Sequence, residues 1–472
     1  MTNWLPNISE GNGPLYLRLA NAIETAISGG DLPAGAKLPP QRNLAYDLGV
    51  TIGTISRAYA AVHERGLVSG EVGRGTYVND RKTPVPAENY DPVVASLGGT
   101  RAASVSDGQH RFDTTAAPDV GQSVVLERFI SEIARERPLD IVNYSRVFPD
   151  HWFEAGVAWL SSNRWSPEAE SIVPTLGAHA AIMSVITAMT APGDKIVFEN
   201  ITYSQVSRSV TLAGRRIAIA DTDANGIVPE DFEKVCAQQH PKIVFLMPSA
   251  QNPTCSILPL ERRRAIADIA RRYNVHIIED NLYGAMRNDD LPMIAELAPD
   301  ITFVIGGLSK SVAAGIRGGW VACPPHFASR VRIAHRLITG GQPFLLAELC
   351  ARLVVSGEAM RIRNRCIAEI TAREAMIRQI LAGYEFESRP SIPFLWLKLP
   401  EPWLSGTFRI AALQEGVLVD DEDEFKPGRT DKVFHRIRIG FSTPATREEL
   451  SDGLAILRRL LDNGETCYDS MA

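Results

Sequence analysis

The sequence predicts two units of different class: a small, mostly helical N-terminal unit closed by a β-hairpin, and a large α/β unit on a mostly parallel sheet. Three observations predict this. Residues 1–79 carry helical spacing interrupted by glycines, then a short β-type repeat around a Gly-Arg-Gly tip. Residues 80–111 are rich in Pro, Gly, Ser and Ala with no sustained period, and read as a flexible linker. From Phe112 to Ala472, continuous apolar β-type runs such as KIVFEN, KIVFLMP, VHIIEDN and ITFVIGG alternate with helical patterns. Such runs belong to strands buried on both faces, and the helices between them are crossovers.

In the N-terminal unit, Leu15, Leu19, Ile23, Ala26 and Ile27 fall at helical spacing, and Gly29-Gly30 stops that helix. Pro39-Pro40 opens a second, short helix through Leu48, and Gly49 permits a tight turn. Thr51 can cap a third helix that runs to about Glu64. LVSGEVGRGTYV then reads as two strands. Two helices across a glycine turn, followed by a hairpin, make a winged helix-turn-helix. The second helix of such a unit enters the DNA major groove, and the wing reaches the backbone or minor groove. The LPxxRxLAxxLGV segment resembles the signature of the GntR family of bacterial regulators. The resemblance implies DNA contacts at Arg42, Thr51, Thr54, Arg57 and Arg74. Arg42 and Arg74 would hold phosphate, and Thr51 and Thr54 would meet base edges. Ile52 stands where many relatives have an arginine, and acids nearly balance bases in this zone. Modest binding per monomer, and a need for a dimer, follow.

Composition narrows the classes. The net charge of -6 excludes a wholesale nucleic-acid coat protein but not a local DNA-reading surface. No stretch of 18 apolar residues appears, and the N-terminus lacks a signal-peptide pattern. The six cysteines are scattered without metal-ligand spacing, as expected of reduced thiols in a cytoplasmic bacterial protein with no metal.

The large unit carries candidate chemistry in order. Gly177-Ala178-His179 opens a helix after SIVPTL, and free N–H groups there can hold a phosphate. The backbone of His179 is expected to matter more than its ring. Tyr203 can lay its ring on a flat heteroaromatic. Asn252 and Tyr283 can share a phenolate oxygen. Asp280, at a strand end, can keep a pyridine nitrogen protonated. Lys310 follows Ser309 past an apolar strand, where partial desolvation suits Schiff-base chemistry, and Arg317 can grip a phosphate.

This order resembles the fold-type I, pyridoxal 5'-phosphate-dependent aminotransferases, whose fold adds a smaller α+β subdomain. The resemblance implies that Lys310 holds the cofactor and that Arg438, or less favourably Arg436, in FHRIRIGFS grips a substrate carboxylate. It also implies that Tyr144 reaches the phosphate bound by a partner subunit. Two positions depart: Gly307 replaces a common phosphate-binding serine, and Cys255 replaces the glycine of NPTG. The fusion of the two units resembles the MocR subfamily of GntR-type regulators. It implies a homodimer that binds promoter DNA and senses an amino compound through an external aldimine at Lys310. The alternative is a working aminotransferase with an accessory DNA-binding domain.

Overall fold

A computed structural model describes residues 4–6, 8, 14–65, 67–71, 75–79, 99–101, 108–145, 147–287, 290–428, 430 and 432–464. The chain separates into two compact units, residues 1–98 and 99–472.

The first unit has three helices, α1 (Leu15–Gly29), α2 (Gln41–Asp47) and α3 (Ile52–Glu64), followed by antiparallel β1 (Val68–Glu71) and β2 (Gly75–Val78). Helix α1 ends at Gly30, whose φ of 85° an L side chain would resist. Leu19, Ile23, Leu44, Ile55, Ala58 and Val62 form its buried core, as the helical spacing requires. Tyr59 donates its hydroxyl to the Pro39 carbonyl at 2.7 Å, which fixes α3 against the start of α2.

The second unit contains β3 (His110–Arg111), β4 (Ile172–Thr175), β5 (Lys195–Glu199), β6 (Arg216–Ala220), β7 (Thr222–Asp223), β8 (Gly226–Ile227), β9 (Ile243–Leu246), β10 (His276–Asp280), β11 (Thr302–Gly307) and β12 (Gly319–Ala322). It continues with β13 (Phe386–Ser388), β14 (Phe394–Lys398), β15 (Val417–Leu418), β16 (Asp420–Asp421) and β17 (Arg436–Gly440). Seven strands form the main sheet in the order β4-β12-β11-β10-β9-β5-β6. Only β12 runs against its neighbours. Strands β9 and β11 are buried along their whole length. Separate apolar cores lie on the two faces, one under helix Gly177–Met189 and one under helices Pro229–Gln239 and Leu260–Arg272. A smaller antiparallel sheet, β13-β14-β17-β16, packs with helices Ser405–Gln414 and Arg447–Asp462 around Phe408, Ile437 and Leu457.

The stretch assigned to a linker is shorter than expected at its C-terminal end. The second unit begins at Gly99, not Phe112. Arg101 pairs with Asp420 through two hydrogen bonds, and β3 joins β15 in parallel. An ion pair and a two-residue strand leave no period for sequence reading to find.

Candidate functional site

In the first unit, the start of α3 is the candidate DNA surface. The Thr51 hydroxyl caps α3 by accepting from the Thr54 amide at 3.3 Å, and the two hydroxyls lie 3.0 Å apart. Thr51 and Arg57 are exposed and Thr54 is half-buried, while Ile55 and Tyr59 point inward. Ser56, which the sequence reading passed over, is exposed beside Arg57. Arg42 lies within α2. Arg74 lies outside the described residues. Removing the cap hydroxyl in Thr51→Ala costs about 1 kcal/mol, or roughly fivefold faster amide exchange at Gly53–Ile55. Unchanged exchange by mass spectrometry contradicts the capping role.

In the second unit, the candidate site lies at the carboxyl ends of β9, β10 and β11, where ligands bind in open α/β sheets. A cavity of about 160 Å³ there is lined by Gly177, Ala178, His179, Tyr203, Asn252, Asp280, Tyr283, Ser309, Lys310 and Arg317. Every cofactor candidate except Tyr144 therefore meets in one place. Tyr144 is 88 % exposed and borders a different cavity, with His335 and Arg336.

Each wall follows from local structure. Gly177 opens its helix at φ 79°, and a Cβ added there would stand 3.4 Å from the Arg317 carbonyl oxygen and 3.6 Å from its guanidinium carbon. The glycine thus keeps open the space between a helix start and a guanidinium. Arg317 has no acidic partner among the described residues. His179 bonds through Nε2 to Ser209 at 3.1 Å, while its buried Nδ1 has no partner among the described residues. Burial, and then Arg317, lower its pKa.

Asp280 ends β10, accepts from the Leu282 amide at 3.1 Å, and is pushed up to about 6 by burial. Lys310 lies in the loop between β11 and β12, and its Nζ donates to Thr115 Oγ1 at 2.9 Å. Thr115 also meets the Tyr283 hydroxyl at 2.9 Å. Burial, then the charge of Arg438, bring the Lys310 ammonium down to about 8, against the pull of Asp280. Burial raises the pKa values of Tyr203 and Tyr283.

The departures have local consequences. A Cβ at Gly307 would lie 3.1 Å from the Gly318 carbonyl oxygen, so the missing serine side chain is replaced by a close approach to β12. Cys255 is buried at φ 59°, a left-handed conformation that suits glycine.

Arg438 is 2 % exposed. It donates to Asn252 Oδ1 at 3.0 Å and to the Asp113 carbonyl at 2.9 Å, and forms a short contact with Asp420. It therefore stands behind Asn252. Arg436 lies farther out on β17 and is held by Glu385 and the Trp396 carbonyl.

Sequence reading missed Thr115, which touches both Lys310 and Tyr283, and Thr114 and Ala116, which line the cavity. It also missed the acidic run Asp420–Glu424. Such a run ordinarily reads as a solvated face, yet Asp420, Asp421, Glu422 and Glu424 are buried here. Each is satisfied: Asp420 by Arg101 and Arg438, Asp421 by Arg409, Glu422 by Lys426, and Glu424 by Arg208. No single segment signals these pairings.

Residues 143–454 match the family Aminotransferase class I and II, and residues 15–78 match Bacterial regulatory proteins, gntR family. The chain is 30% identical over 464 residues to the uncharacterized HTH-type transcriptional regulator YdeF of Bacillus subtilis, covering 98% of this chain and 97% of that protein. It is 25% identical to the probable rhizopine catabolism regulatory protein MocR of Rhizobium meliloti, covering 71% and 70% of the two chains. The fold is that of LysN, an α-aminoadipate aminotransferase from Thermus thermophilus solved with N-(5'-phosphopyridoxyl)-L-leucine. The TM-score is 0.69 at 20% identity, covering 80% of this chain and 98% of that one. With a winged helix at one end, a lysine-bearing aminotransferase cavity at the other, and a regulator relative matching nearly end to end, the chain belongs to the MocR subfamily of GntR-type transcription regulators.

Proposed function

We propose that this regulator binds pyridoxal 5'-phosphate at Lys310, senses an amino compound there, and alters its hold on promoter DNA. One observation carries the proposal: the Lys310 amine, lowered to about 8, shares one cavity with Asp280 and with the open space between Gly177 and Arg317. The fit to the cofactor rests on that space, which a Cβ would fill, and on the orphaned Nδ1 of His179. When bound, pyridoxal phosphate supplies an aldehyde that condenses with primary amines, and a ring that withdraws electrons.

The chain's own groups have separable tasks. Arg317, Ser309 and the helix start at Gly177 and Ala178 hold the phosphate. Asp280 would keep the ring nitrogen protonated, and Tyr203 would offer its ring for stacking. Asn252 and Tyr283 steady the phenolic oxygen. Lys310 would hold the aldehyde, and Arg438 would draw the carboxylate of an incoming amine. A homodimer in the bacterial cytoplasm brings Tyr144 of the partner subunit to the phosphate and sets two winged helices on two half-sites. The effector shifts the protein's conformation only by its differential affinity for two states.

The test is binding of the cofactor-loaded protein to DNA upstream of its own gene against a scrambled duplex, at two salt concentrations. Tight, sequence-selective binding is expected, and Arg57→Ala weakens it about tenfold. Equal, weak binding to both duplexes removes the regulatory reading. Because Lys310, Asp280 and Arg438 also suffice for transamination, keto-acid formation over many turnovers at ordinary enzyme rates favours the catalytic alternative.

A further inference from the structure

We infer that Asp420 couples the effector site to the segment through which the chain enters the large unit, so that one anion bound at Arg438 tightens the seat of Gly99–Arg101. This rests on the proposed role of Arg438 as the effector's carboxylate partner.

Asp420 and Arg438 are cross-strand partners on β16 and β17, 1 % and 2 % exposed. Arg101 holds the same carboxylate from the other side, Nε to Oδ1 at 3.0 Å and NH2 to Oδ2 at 2.9 Å. Arg438 NH2 reaches that same Oδ2. One carboxylate thus serves two guanidinium groups. The acids around them are already engaged. Asp113 pairs with Arg111, and Glu424 pairs with Arg208. The pair of arginines therefore keeps one unbalanced positive charge, in a place where uncompensated charge is costly. Arg438 Nε is buried and has no partner among the described residues, which leaves a donor unused beside that charge.

A carboxylate arriving at Arg438 neutralises the excess and competes with Asp420 for NH2. Asp420 Oδ2 then depends on Arg101 alone. Arg101 is part of a short seat: the Thr100 and Arg101 amides donate to Glu424 Oε2 at 2.8 and 3.3 Å, and the Thr100 hydroxyl donates to Asp421 Oδ1 at 2.7 Å. Residue 98 is the last of the N-terminal unit. The seat is therefore the first part of the large unit after the N-terminal unit ends. An amine without a carboxylate leaves Arg438 on Asp420 and the seat as it was.

The experiment is amide exchange by mass spectrometry on the full-length, cofactor-loaded protein, with glycine or methylamine as probe and the cofactor's absorption band reporting amine binding. Glycine slows exchange at Thr100 and Arg101 about fivefold, the lower end of ordinary coupling between sites, and methylamine does not. In Asp420→Asn and Arg101→Ala, glycine still shifts the absorption band but no longer slows exchange. Arg101 is partly exposed, so its variant keeps the test alive should Asp420→Asn fold poorly. Equal slowing by methylamine, or slowing that survives in Arg101→Ala, overturns the inference. Should glycine leave the absorption band unmoved, the reading of the cavity as an amine sensor fails. The coupling is then judged on Arg438→Gln without ligand, where slower exchange at Thr100 and Arg101 supports it and unchanged exchange overturns it.

Discussion

Lys310→Ala is expected to leave a folded protein that retains no covalently trapped cofactor. Borohydride reduction followed by peptide mapping should place the cofactor on Lys310 in the wild type and nowhere in the variant. Trapping on another lysine would remove Lys310 from its proposed role. The cofactor-free variant should also be slightly more stable at neutral pH. Burial lowers the ammonium from 10.5 to about 8, so the wild type holds a disfavoured charge at pH 7. Lys310 is only partly buried, and the discounted gain is about 1–2 kcal/mol. A chemical-denaturation midpoint measures it. A clear loss of stability would mean that the contact with Thr115 outweighs the desolvation of the amine.

The second large effect is on pH. Attack on an aldehyde needs the neutral amine. With the ammonium at about 8, capture of pyridoxal phosphate by the cofactor-free protein should rise about tenfold per pH unit up to pH 8 and then level. A lysine at 10.5 would keep accelerating beyond that. Arg438 lowers this pKa and Asp280 raises it, so Arg438→Gln moves the plateau to higher pH and Asp280→Asn moves it lower. Stopped-flow absorbance reads all three, and a wild-type rate still climbing at pH 10 refutes the assignment. Stability carries the same signature. The folded state releases its proton near 8 and the unfolded state near 10.5, so between those values the unfolded chain binds more protons and stability rises with pH.

Much of this could be read from the chain because its signals are local. Gly30 stops α1, Thr51 caps α3, and the apolar runs became β5, β9, β10 and β11. Gly177, Tyr203, Asn252, Asp280, Tyr283, Lys310 and Arg317 line one cavity because they lie at or near strand ends or helix starts on the same edge of the sheet. What escaped is held by distance in sequence. Thr115 meets Lys310 across 195 positions, and Arg101 meets Asp420 across 319. Neither has a neighbour with which to make a period. The same cause moved the boundary of the large unit from Phe112 to Gly99. The pairing of Arg438 with Asp420 was not legible, since a strand pattern gives a residue's face and not the partner across it.

The cavity's walls come from residues as far apart as Thr114 and Gly318. The winged unit, by contrast, closes its core within Leu19–Val78. Contacts between near neighbours form fast, and a ribosome delivers the N-terminus first. During synthesis the DNA-binding unit has all its core residues long before Arg317 exists, whereas the cavity can assemble only once the chain has passed Gly318. Each new molecule thus passes through a stage in which the winged unit has all of its core and the cavity does not yet exist.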